Sequence, residues 1–131
     1  MQTRPINPSK WLEAFNINHA IEVTGGQRVL YVSGQTSNDA SGAPMHPGDL
    51  VAQFKLAWKN LVDVLAAANM EPKNIVRLNF YTTDVDAFMA KAGEMVPIYA
   101  QTGCKPAATL LGVTRLFEPS IMLEIEATAV A

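Results

Sequence analysis

Apolar residues at Leu50, Phe54, Ala57, Trp58, Leu61, Leu65 and Ala68 recur at spacings of three and four, with Gln53, Lys55, Lys59, Asn60 and Asp63 between them. A helix gathers such positions into one stripe, so an amphipathic helix is predicted after Asp49, with the polar residues facing outward. Elsewhere the period is two. Ile75 to Tyr81 alternates apolar with polar residues, and so does the middle of Ile121 to Val130, which predicts strands with one buried face. The β-rich stretches His19 to Val23 and Arg28 to Ser33 flank Gly25-Gly26, a combination that predicts an antiparallel hairpin. Thr82-Thr83-Asp84 offers side-chain oxygens to cap a second helix, Val85 to about Gln101, in which Gly93 and Pro97 predict a kink or two short helices. Lys105-Pro106 opens another strand, roughly Ala107 to Leu116. Residues 36 to 48 are rich in turn formers and read as a loop. Residues 1 to 18 show no sustained period and read as an irregular arm with one helical turn around Trp11 to Phe15.

The predicted order is ββαβαββ, an α+β fold whose two helices lie on one face of a mixed sheet. The other face then needs cover, because an apolar sheet face must be buried against something, and a partner subunit is the simplest cover. A length of 131 residues suits one domain, 1 to 131, with a single core. With 49% hydrophobic and 17% charged residues the chain lies at the apolar end of foldable sequences.

A formal net charge of -2 and ten scattered basic residues argue against nucleic-acid binding. The N-terminus lacks the apolar run of a signal peptide, and no stretch approaches the ~20 apolar residues that span a bilayer, so a cytoplasmic, non-membrane protein is expected. The single Cys104 has no partner for an internal disulfide, which fits a reducing compartment, and reads as a small apolar residue more readily than as a nucleophile. His19 and His46 lack metal-ligand spacing, Ser33-Gly34 is not a hydrolase elbow, and no phosphate loop is present, so neither metal nor cofactor is expected. Glu124 and Glu126 share one face of their strand. Two neighbouring carboxylates beside apolar surface would raise each other's pKa toward general acid/base use, although residue pattern alone favours a solvated strand face.

Taken together, Val29-Leu30-Tyr31-Val32-Ser33-Gly34-Gln35, the helix from Gln53 to Ala68, Tyr81-Thr82-Thr83-Asp84, Lys105-Pro106-Ala107 and Leu123-Glu124-Ile125-Glu126-Ala127 resemble the Rid (reactive intermediate deaminase) family, in order and spacing from about residue 15 to 130. The resemblance implies a chorismate-mutase-like fold, with three subunits packing their sheets into a barrel and small-molecule clefts between neighbours. It implies hydrolysis of reactive enamines or imines derived from amino acids to ammonia and a keto acid. Glu124 matches the carboxylate that handles the attacking water, and Ser33, Gly34 and Gln35 match the turn lining the cleft. Where the family carries an Arg after Pro-Ala, gripping the substrate carboxylate bidentately, this chain has Ala108, with Ala107 and Thr109 beside it. An N-terminal aromatic hydroxyl of many members falls on Ile17. Charged hydrogen bonds are worth roughly 1.5–3 kcal/mol each, so the missing Arg implies a loss on the order of a hundredfold toward 2-imino acids. Arg115, seven residues beyond Ala108, points to the opposite face of an ideal strand and is no substitute.

Two functions stay open on this reading. One is an enamine or imine deaminase of altered specificity. The other is a non-catalytic homotrimer that binds a small metabolite or a protein partner. Ribonuclease activity, an older label for the family, ranks behind both because the chain is acidic.

Overall fold

Backbone pairing begins sooner than side-chain periodicity announces. In the computed structural model, which describes all 131 residues, Gln2–Ile6 forms a strand, β1. It pairs antiparallel with β2, Ala20–Thr24, from Gln2 opposite Thr24 to Ile6 opposite Ala20. The expected irregular arm is therefore an ordered ribbon, followed by a 3₁₀ turn at Trp11–Phe15. Side chains gave no period because nothing on β1 is buried; the ribbon rests on main-chain bonds and an exposed Arg4–Glu22 ion pair at 3.0 Å.

The predicted hairpin across Gly25-Gly26 does not form. β3, Val29–Gln35, pairs instead with the C-terminal strand β6, Leu123–Val130, while β4, Ile75–Thr82, takes the other edge of β6 and runs parallel to β5, Ala107–Gly112. The sheet order is β3-β6-β4-β5. β2 alternates only between exposed and half-buried positions, so it has no apolar face to place in the main sheet. The glycine pair does other work. Gly25 sits at φ 74, and a Cβ on Gly26 would lie 2.5 Å from Val130 Cγ1, so a bare backbone there lets β6 pass.

Three helices cover one face: α1, Leu50–Ala67, α2, Val85–Ala90, and α3, Ala92–Ala100. Asp49 and Asp84 cap α1 and α2, each accepting a main-chain N–H at 3.0 Å. The α1 stripe is buried as its spacing predicts, with Phe54, Leu61 and Leu65 fully enclosed against Leu78, Leu123 and Ile125 of the sheet. Gln53 is buried as well, contrary to the outward orientation expected. Its Nε2 donates to His46 O at 3.1 Å and Ser120 O at 2.8 Å, and its Oε1 accepts from Met122 N at 2.9 Å. Those bonds satisfy its whole amide.

The second helical segment does split, but at Lys91, ahead of Gly93 and Pro97. Pro97 stays within α3 because both it and Gly93 are exposed, so water reaches the Gly93 carbonyl that Pro97 cannot bond. No helix is long and apolar enough to cross a membrane. The face of the sheet away from the helices remains open, with Tyr31 80% exposed and Val29 and Leu111 each 51%.

Candidate functional site

Glu124 stands on the open face in the central strand β6, where the period of two places it beside Glu126 and buries Leu123, Ile125 and Ala127 behind. Its neighbour across the β3 edge is Gly34. A Cβ built on Gly34 would fall 1.7 Å from Glu124 Oε1, so the carboxyl group occupies the room a side chain would need. The pairing of β3 with β6 slips between Val32 and Gln35, a bulge that brings this bare stretch of backbone over the carboxylate. Ser33 is exposed beside it, and Gln35 donates to the Ser33 carbonyl at 3.2 Å. Ser33, Gly34, Gln35 and Glu124 thus form one cluster.

Partial burial raises the pKa of Glu124 above the ordinary glutamate range, and the charge of Glu126 adds to the rise. Glu126 is itself held in place. It accepts from Tyr81 Oη and, at 3.1 Å, from Asn79 Nδ2, and its hydrogen bond to Tyr81 pushes that phenol's pKa up. Tyr81 belongs to a motif of the family resemblance, but neither it nor Asn79 was expected at the site. The alternation of β4 put them on the polar side, but only the register, Asn79 opposite Glu126 and Tyr81 opposite Glu124, brings them to the carboxylates.

The other residues named from the sequence lie elsewhere. Ile17, Ala108 and Thr109 border an apolar cavity of about 280 Å³ on the helix side, between the 3₁₀ turn, α2, α3 and the edge strand β5. Of its fifteen lining residues fourteen are hydrophobic, and none is charged. Phe54, Phe80, Phe88 and Tyr99 form its floor, with ring centroids 5.8–6.4 Å apart, while Trp11 and Met89 stand exposed at its rim. Tyr99 Oη donates to Phe15 O and ties the 3₁₀ turn to α3. Asn18 pins the chain after Ile17 to β5, through N to Pro106 O at 2.7 Å and Nδ2 to Lys105 O at 2.6 Å. Ala107, 8% exposed, sits under this join and lines neither cluster.

Within one chain the two clusters do not meet. Ala108 pairs with Leu78 on the core face, whereas Glu124 pairs with Tyr81 and, beyond it, Leu111 on the open face. Two interstrand spacings of ~4.8 Å and three residues of ~3.3 Å separate their Cα atoms by roughly 14 Å. Cys104 is fully buried, its thiol pushed up to about 12 by burial, and so is no nucleophile.

Comparison with known proteins follows the same outline. Residues 12–131 match the family model described as Endoribonuclease L-PSP. The chain is 36% identical to the 2-iminobutanoate/2-iminopropanoate deaminase of Mus musculus, over 79% of this chain and 74% of the relative. It is 34% identical to Protein DfrA of Myxococcus xanthus, over 87% and 84% respectively. A crystal structure of a protein of unknown function of the conserved Rid family from Yersinia pestis superposes with a TM-score of 0.87, at 31% identity and full coverage of both chains.

Proposed function

The chain belongs to the Endoribonuclease L-PSP, or Rid, family, and from that premise we propose that it hydrolyses a reactive enamine or imine in a cleft between subunits of a homotrimer, with a specificity other than that of its 2-imino acid relatives. The observation that carries the reading is Glu124, seated in the notch left by Gly34 with its pKa raised by burial. A carboxylate of that kind is a stronger base than a freely solvated glutamate. It takes a proton from water as the water oxygen bonds to the imine carbon. That proton passes to nitrogen to give the carbinolamine, and the proton of its hydroxyl then follows by way of Glu124 to nitrogen as C=O forms and the C–N bond breaks, releasing ammonia and a carbonyl product.

Assembly is part of the proposal because the carboxylate cluster and the cavity occupy opposite faces of one sheet. A neighbour packed on the open face would cover Tyr31, Val29 and Leu111 and carry the cavity of one subunit toward the Glu124 of the next. The deaminase names of the mammalian relatives support the chemistry. Ala108 supports the change of specificity, since no cation replaces the family's Arg among the residues around the cavity.

Ammonia release from a panel of enamines and imines tests the proposal. Turnover of at least one member by the native protein, lost on the order of a hundredfold in Glu124→Gln, is expected. Equal rates in the two proteins would remove Glu124 from the chemistry. The absence of a cavity cation equally favours a second reading, a trimer that binds a small metabolite without turning it over. No turnover of any panel member, with a small molecule retained in native mass spectrometry, would select that reading.

A further inference from the structure

The size and lining of the cavity say more about its ligand than the missing Arg alone. We infer that the cavity beside Ala108 receives an uncharged apolar group, aromatic or branched aliphatic, attached to the carbon that is hydrolysed, and that a carboxylate on that carbon is rejected; the inference rests on the hydrolase reading above.

Three observations carry it. The volume of about 280 Å³ is roughly twice the about 150 Å³ that holds a benzene in an apolar protein cavity, so a ring with a short chain fits and a two-carbon side chain leaves most of the space empty. The floor is four aromatic rings, none more than 8% exposed, and its one hydroxyl, on Tyr99, is already spent on Phe15 O. Thr109, the single polar residue of the lining, has its hydroxyl bonded by Arg77 at 2.8 Å. A carboxylate brought against Ala108 would meet no charged residue in the lining, and the guanidinium of Arg77, exposed on the other face of the sheet, is engaged by Thr109. An ion without a partner in such surroundings is expelled. Trp11 and Met89, exposed at the rim, offer an apolar group its first contact. The substrate class is therefore an imine or enamine of a ketone or aldehyde. Water adds across C=N, the C–N bond breaks, and ammonia and the neutral carbonyl compound are released.

Phenylacetone and phenylpyruvate differ in a methyl against a carboxylate on the carbonyl carbon, and both mimic the product. Their binding to the full-length protein can be followed by the fluorescence of Trp11 at the rim, with Trp11→Phe to assign the signal. Phenylacetone is expected to bind about tenfold or more tightly than phenylpyruvate, Ala108→Arg to invert that order, and Val96→Phe, which fills the cavity, to weaken phenylacetone by a similar factor. The comparison of the two ketones needs no variant, so misfolding of either substitution leaves the test intact. Equal or tighter binding of phenylpyruvate, or no binding of either compound, overturns the inference. Should Glu124-dependent release of ammonia from imines persist in that case, the hydrolase reading stands and the substrate class alone is wrong. If phenylacetone binds as expected while no imine is turned over, the cavity's preference is upheld and the hydrolase reading falls.

Discussion

Gly34 shows how one absent side chain decides where a functional group can stand. The nearest atom to a Cβ placed there is Glu124 Oε1, the far end of a flexible side chain, so Gly34→Ala can be accommodated by swinging the carboxyl group away. The expected cost in stability is small, about 1 kcal/mol in chemical denaturation, while under the proposed hydrolysis activity falls on the order of a hundredfold because the carboxylate proposed as base has left its place. A large stability loss with activity preserved per folded molecule would contradict this. Glu126 acts on Glu124 through charge. In the proposed hydrolysis the Glu124 carboxylate must be ionised to take a proton, so activity is expected to be lost as pH falls through its pKa, which lies above the ordinary 4.5 because of burial first and Glu126 second. Glu126→Gln removes the second cause and leaves the first. The acid limb of the pH–rate profile should therefore move to lower pH while remaining above 4.5, and a limb that stays in place would mean that the Glu126 charge is not felt.

Helix α1 holds the loop before β6 through Gln53, and this is the least expected packing in the fold. The helix period put Gln53 among outward residues, yet its amide bridges His46, Ser120 and Met122. Gln53→Leu keeps the volume but strands two carbonyls and one N–H, each costing about 1–3 kcal/mol when buried without a partner. A loss of about 2 kcal/mol or more in denaturation is expected, with the loop from Glu118 to Met122 loosened and β6 less firmly registered. Hydrogen exchange at Met122 N checks the local part of this. Phe54, the next residue, is a core residue by spacing and by structure, so the contrast isolates what a buried polar group adds.

The molecule as a whole leaves one sheet face open, and the polar cluster and the exposed Tyr31, Val29 and Leu111 share it. Under the trimer proposal the native protein should sediment at three times 14.2 kDa. Tyr31→Glu, at an 80% exposed position where the chain alone has nothing to lose, should shift the species toward monomer and reduce activity with it. A monomeric native protein would remove the inter-subunit cleft and the joining of Glu124 with the cavity.

The sequence by itself determined the α+β class, the α1 stripe, the cap ahead of α2, the alternation of β4 and β6, and the position of Glu124 on a polar face, because all of these follow from local period and local chemistry. The family resemblance extended that to the Ser33-Gly34-Gln35 turn. Tertiary structure alone decided that β3 pairs with β6 and not with β2, that residues 2–6 form a strand, that Gln53 turns inward, and that Tyr81 and Asn79 grip Glu126. Each of those depends on a partner distant in the chain, such as Val130 for Gly26 or Ser120 for Gln53, and a period read along one segment carries no information about which distant segment will lie beside it.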